Sequence, residues 1–307
     1  MLNKDQVALG IHPILSTVVR GYTNHTFVGQ HLFPFVPAPA QGKVIKFGKE
    51  AFVLYETLRA RGADAKRMSV GYEAEPFALE LHDLDAKVPK EDKRDAQQFA
   101  DIDLAKRHVE AAWKALLLGL EHEHAKIARN PDNYHPSNVI ALSGSFTNIN
   151  VRELTEEAKE AVSARIGVNP NVAIVGPGAL KAFKNHPTLI NAAEKAGKVI
   201  VTLEQIREAL DIPRVHIGEA NYVENIDDPD ADFSRIWGSD IVFAYVPDSP
   251  AAEMPAYGYT YRQNGRPSVL QPWHDYSARS DIYGVSDERS PQMTSDSAGV
   301  LITGITL

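Results

Sequence analysis

Residues 92–129, DKRDAQQFADIDLAKRHVEAAWKALLLGLEHEHAKIAR, constrain this chain more than any other stretch. They contain no proline. The apolar residues Phe99, Ile102, Val109, Trp113, Leu116, Leu117, Leu120 and Ile127 recur mostly three or four apart. That spacing is the period of one buried helical face. The opposite face is expected to carry Lys106, Arg107, Glu110, Lys114, Glu121 and Lys126. Gly119 weakens the helix by about 1 kcal/mol relative to alanine. Asn130-Pro131 ends it, because proline cannot continue a helix and disfavours helix in the residue before. An unbroken helix of this length would be roughly 55 Å long. A compact globule of this chain length is only about 50 Å across. A strict apolar heptad is not sustained, which argues against a coiled coil. The stretch therefore predicts a flat, elongated subunit with this helix as its backbone.

The 307 residues allow one large or two small domains. The 44% apolar and 23% charged content is that of an ordinary folded protein. With no cysteine, disulfides and thiolate chemistry are excluded. The net charge of -8 argues against a dedicated nucleic-acid binder, which is usually basic. The first residues lack a basic lead followed by a long apolar block, so no signal peptide is expected. No run approaches the roughly 20 apolar residues of a membrane helix, and no membrane partner is expected.

Residues 1–34 read as an arm whose short apolar groups are interrupted by Gly10, Pro13 and Gly21. Residues 31–43, with three prolines between positions 34 and 39, read as an extended connector, since each ring fixes φ and removes a donor. Phe33 and Phe35 are expected to anchor it. Residues 43–90 contain two strand-like runs around a polar centre broken at Gly62, which reads as a long two-stranded excursion. Such a ribbon is marginal in water and needs another surface. Between positions 43 and 67 there are seven basic residues (Lys43, Lys46, Lys49, Arg59, Arg61, Lys66, Arg67) and three acidic ones (Glu50, Glu56, Asp64). A basic projection on an acidic chain suggests an acidic neighbour.

After the long helix, 139–146 reads as a short strand or turn. Asn150 with Glu153 resembles a helix cap, opening a helix that runs to Ile166 and Gly167. An α/β unit follows: a strand at 171–175, a helix opened by Gly176-Pro177, a helix at 188–196 closed by Gly197, and a strand at 199–201. Thr202 and Gln205 then form a capping box for a helix ending before Pro213, and 214–218 is a further strand. Further strands are expected at 241–246, 256–262 and 299–307. There is no internal repeat.

No pattern reaches the level of an enzymatic, cofactor or metal site. Gly176-Pro177-Gly178 sits between a strand and a helix, but lacks the remaining signature of a phosphate loop and reads as a tight turn. His122 and His124 are two apart, so on a helix they point away from each other, whereas a helical metal pair needs a spacing of three or four. Glu121 with His124 has that spacing but is only one pair. Asp228, Asp230 and Asp232 mimic the start of a calcium loop without its glycine or distal glutamate, and read as a solvated loop. No nucleophile elbow is present.

The order of these parts resembles the major capsid proteins of tailed bacteriophages, with the HK97-type fold. The resemblance rests on TNHTFVGQHLFPFVPAPAQGKVIKFG, NVAIVGPGALKAFKNHP leading to LEQIREALDIPRVHIGEANY, and RIWGSDIVFAYVP, and it covers nearly the whole chain. It implies an α+β fold with an N-terminal arm (1–34), an extended connector and hairpin called the E-loop (35–90), and a peripheral domain with a spine helix (91–150). An α/β axial domain (151–245) and returning strands shared between the two domains (246–307) complete it. It also implies self-assembly, as pentamers and hexamers, into an icosahedral virion shell enclosing double-stranded DNA. A separate scaffolding protein, a portal and possible decoration proteins would be partners, with the DNA held weakly. A shell around protein cargo, as in encapsulins, and an α/β hydrolase or small-molecule-binding enzyme are the alternatives.

Overall fold

In a computed structural model of the chain, the described residues are 10–46, 58–59, 73–99, 103–224, 232–252 and 254–306. Pro13, expected to interrupt the arm, instead opens a helix. Proline is tolerated at the first helical position, and the His12 side chain accepts the Leu15 N–H at 3.2 Å, giving α1 (Pro13–Gly21). A 3-10 turn, Gly29–His31, leads into β1 (Phe35–Ala38). Then come β2 (Gln41–Lys46), β3 (Glu73–Ala78) and β4 (Glu80–Pro89).

The long helical stretch is two helices, α2 (Lys90–Phe99) and α3 (Leu104–Ala128). Asp103 starts the second. Its backbone is not helical, and its carboxylate accepts the Lys106 N–H at 3.0 Å, where an aspartate caps best. The 25 residues of α3 make roughly 37 Å, so length alone no longer requires a flattened subunit. Val109, Trp113 and Leu120 are buried as expected. Glu121, expected on the solvent face, is buried too.

Further on lie β5 (Val139–Ala141), α4 (Val151–Ile166), β6 (Val172–Val175), α5 (Pro177–Lys184), α6 (Pro187–Lys195), α7 (Leu203–Leu210) and β7 (Arg214–Ile217). Asn150 precedes α4 without a side-chain capping bond, while Gly167 closes that helix in the left-handed conformation. The Thr202–Gln205 capping box is formed. The expected strand at 199–201 is absent: Val199 and Ile200 are exposed and unpaired. The remaining elements are β8 (Asn221–Tyr222), β9 (Ser234–Arg235), β10 (Ile241–Ala244), β11 (Gly258–Gln263), β12 (Ser268–Val269), β13 (Trp273–Asp275), β14 (Ser280–Met293) and β15 (Gly299–Thr303).

Two sheets organise the body. The first has the order β5-β15-β10-β6-β7. Ala173, Val175, Ile241, Phe243, Val300 and Ile302 meet α4 to α7 on one face. The alternate residues Val172, Ile174, Val242, Ala244 and Leu301 meet the arm and the end of α3 on the other. This two-sided burial explains the continuous apolar runs of these strands. The second sheet is built on β14, whose fourteen residues pair with β4 along one edge and with β13, β12 and β11 along the other. Its strand β1 runs parallel to β11. The α3 residues Val109, Ala112 and Trp113 pack on Ala86, Val88 and Val285 of this sheet, with Leu15 and Val19 of α1 in the same cluster.

Candidate functional site

The arm, α3 and both sheets converge on one buried polar joint. The Glu121 carboxylate accepts the Val28 N–H at 2.9 Å, the Gly29 N–H at 2.9 Å and the Trp237 indole N–H at 2.6 Å. Burial nevertheless pushes its pKa above the usual glutamate value, against the lowering effect of those three donors. One turn on, His124 is fully buried. Thr260 donates its only hydroxyl proton to the Phe33 carbonyl at 2.9 Å, so His124 donates from Nε2 to the Thr260 oxygen at 2.8 Å. Burial, reinforced by Arg289 and Arg262, depresses the His124 pKa to about 3, so the ring is neutral. Phe33 stacks on it at 5.0 Å. Gly29 permits the approach: a Cβ there would lie 2.5 Å from His124 Nδ1.

A second lock joins the β14 sheet to α3. Arg262 and Arg289 stand directly opposite each other on β11 and β14. Like charges in that relation repel. Asp287, two residues along the same face, accepts from both, at 2.9 Å from Arg262 and 3.1 Å from Arg289. Arg289 also donates to the Leu116 carbonyl of α3 at 3.0 Å. Arg262 lies over the Phe35 ring at 3.7 Å, which fixes β1. Phe33 and Phe35 thus anchor the connector, one inside the core and one beneath a guanidinium.

The remaining sequence candidates are placed as follows. His122 is exposed and meets the Tyr222 ring edge-on, while His124 points inward. At the glycine turn, the Gly176 N–H donates to the Asp240 carbonyl and the Gly178 N–H to the Gly238 carbonyl. A Cβ at Gly176 would lie 2.5 Å from the Trp237 carbonyl oxygen, so this backbone packs against backbone. Asp228 and Asp230 lie outside the described residues, and Asp232 is exposed. No group of three or more metal-ligating side chains stands together among the described residues. The signal for the joint was the spacing of Leu117, Leu120, Glu121, His124, Ala125 and Ala128, which continues the apolar face through polar residue types.

The excursion is described at its root and at residues 58–59. At the root β2 pairs antiparallel with β3 from Gln41↔Ala78 to Lys46↔Glu73. Val44 and Phe77 pack on Val36, Tyr259 and Tyr261, with the Phe77 and Tyr261 rings stacked at 4.6 Å. Most of the basic residues counted above lie outside the described part, as does Gly62.

An arm locked over a central helix, a ribbon root leaving a β-rich body and a helix-covered sheet together form the architecture of shell-building HK97-like capsid proteins. No family model matches the chain. A major capsid protein of Burkholderia phage BcepMu is 35% identical over 306 residues, covering 96% of each chain. The crystal structure of a phage-related protein from Bordetella bronchiseptica RB50 is 38% identical, covers 95% of this chain and 96% of its own, and superposes with a TM-score of 0.82. The capsid protein of Cyanophage P-SCSP1u shares the fold at a TM-score of 0.55 and 9% identity, covering 93% of this chain and 90% of its own. The chain belongs to the family of phage major capsid proteins. Its role is structural, as a self-assembling subunit of the virion shell.

Proposed function

We propose that copies of this chain, as pentamers and hexamers, close an icosahedral shell around double-stranded DNA. The carrying observation is the similarity to a phage major capsid protein over 96% of both chains. In this reading the arm (1–34) and spine helix α3 hold the subunit rigid, and the hairpin within 35–90 overlaps a neighbour. The unit at 151–245 faces the ring centre, and the strands at 246–307 tie it to the peripheral part at 91–150. The firmly anchored root supports a projecting ribbon, since Val44 and Phe77 hold its base to the body. Ordering that ribbon costs entropy, which contacts with a neighbour offset.

Assembly in the host cytoplasm with a separate scaffolding protein and a portal, and later decoration, complete the proposal. The packaged DNA is held loosely, because the net charge of -8 opposes it. Tight, salt-sensitive binding of duplex DNA by the purified subunit would contradict that point. The main test is deletion of residues 48–68. The expected product is a folded subunit that forms no closed shells under electron microscopy. Normal shells, or an unfolded subunit, would overturn the proposed role of the hairpin.

A further inference from the structure

A cleft of about 380 Å³ lies between the arm and the body, within the size range of small-molecule sites. Val19, Tyr22 and Phe27 line it from the arm, and Phe35, Leu117 and Leu120 line it from β1 and α3. Trp113 lines it too. Only 3% of that residue is exposed, and its indole N–H has no acceptor among the described residues. Leaving a buried donor unpaired is costly, so the group calls for an acceptor. Arg262 lines the same cleft, its guanidinium carbon 5.9 Å from the centre of the Trp113 ring. It donates to the protein only from Nη2, to Asp287. Arg20 and Arg266 are also lining residues. Arg20 donates to the Pro267 and Gly265 carbonyls and has no acidic partner among the described residues. Asp287 and Glu288 partner Arg262 and Arg266, but neither lines the cleft. Glu121 is the only acidic residue among the described lining residues, and its carboxylate already accepts from Val28, Gly29 and Trp237.

Apolar walls, an unpaired indole N–H and three guanidiniums together select a ligand with an apolar tail and an anionic acceptor. A simple inorganic anion would leave the apolar walls against water. A hydrocarbon would leave the indole N–H unpaired. We propose that this cleft binds a small monocarboxylic acid with an apolar tail. The carboxylate accepts from Trp113 Nε1 and from the Arg262 guanidinium, and the tail lies against Val19, Phe27, Leu117 and Leu120. Because the walls come from the arm on one side and from α3 on the other, the bound acid ties the two together beside the Glu121 joint. The site belongs to a single subunit and does not depend on shell assembly, so its test stands apart from the shell reading.

Calorimetric titration of the purified full chain tests it, with octanoate as the probe. Octylamine has the same tail without an acceptor, and acetate has the acceptor without the tail. Octanoate should bind saturably at one site and raise the melting temperature by a few degrees at saturation. Affinity should rise about fourfold per methylene from hexanoate to octanoate. Octylamine and acetate should do neither. Trp113→Phe keeps a ring but removes the N–H, and should weaken octanoate binding by about tenfold. Leu117→Trp fills the cleft and should abolish binding. No saturable uptake of octanoate, meaning a cleft that holds water only, would overturn the proposal. So would equal binding of octylamine, or octanoate binding unchanged in either folded variant. If Trp113→Phe folds poorly by circular dichroism, the Leu117→Trp result decides.

Discussion

The Trp237 indole N–H donates to the Glu121 carboxylate at 2.6 Å, across 116 residues of sequence. The same carboxylate holds the arm through Val28 and Gly29. Glu121→Ala should therefore strand three buried donors at once, and the cost of leaving a donor unsatisfied is about 1–3 kcal/mol each. Urea unfolding of the purified subunit should show a loss of several kcal/mol. A loss below about 1 kcal/mol would mean that the joint contributes little to stability.

The pH dependence of stability has two opposing parts at this joint. His124 titrates near 6.5 when unfolded and at about 3 when folded. Its contribution is fully present above 6.5 and is lost as pH falls towards 3, by up to about 1.4 kcal/mol per unit. Glu121 works the other way. Its folded pKa is raised, so its contribution is fully present below the ordinary 4.5 and declines as pH rises through the folded value. His124→Phe should flatten the acid-side slope of urea-unfolding free energy between about pH 4 and 6.5. Identical slopes in variant and parent would rule out His124 as the source.

Asp287 is fully buried between Arg262 and Arg289. Asp287→Asn removes the negative charge and leaves two guanidiniums opposed across neighbouring strands. Breaking a buried pair from one side typically costs about 3–5 kcal/mol. Replacing all three residues by apolar ones of similar volume should cost much less, because no fully buried charge is then left uncompensated, and Glu123, which faces Arg289 at 3.6 Å, is partly exposed. Calorimetry on the two variants separates these outcomes, and equal melting temperatures would refute the argument.

Trp113 is nearly completely buried between α3 and the β14 sheet. Trp113→Ala should destabilise the subunit by about 3–5 kcal/mol, through lost burial and the cavity left behind. A negligible change in denaturation midpoint would mean that this contact is not part of the core.

Much of the secondary structure was legible because its signals are local. Apolar runs at β6 and β10, the Thr202–Gln205 capping box and the left-handed Gly167 depend on neighbours in sequence. What was missed depends on distant partners. The sequence SDIYGVSDERSPQM of β14 hides its alternation because Ser286, Asp287, Arg289 and Ser290 are buried polar residues. Glu121 looked solvent-facing because only the fold supplies the Val28, Gly29 and Trp237 donors. Residues Val199, Ile200 and Val201 have strand propensity but no strand beside them. The break before Leu104 was readable in principle, since Asp103 is a good cap, but the apolar period on either side masked it. The anchoring of the connector by Phe33 and Phe35 was anticipated, whereas the buried carboxylate and guanidinium locks were not.

Strand order also bears on the timing of biosynthesis. Residues 258–303 supply interior strands of both sheets: β11 and β14 in one, β15 in the other. A nascent chain halted before Gly258 lacks the strands on which β1, β4 and β5 close, so those earlier segments wait on the ribosome without partners. Ribosome-bound chains stopped there should be cut freely by protease, and protection should arise only once β15 has emerged. Translation would thereby keep half-made subunits out of growing particles.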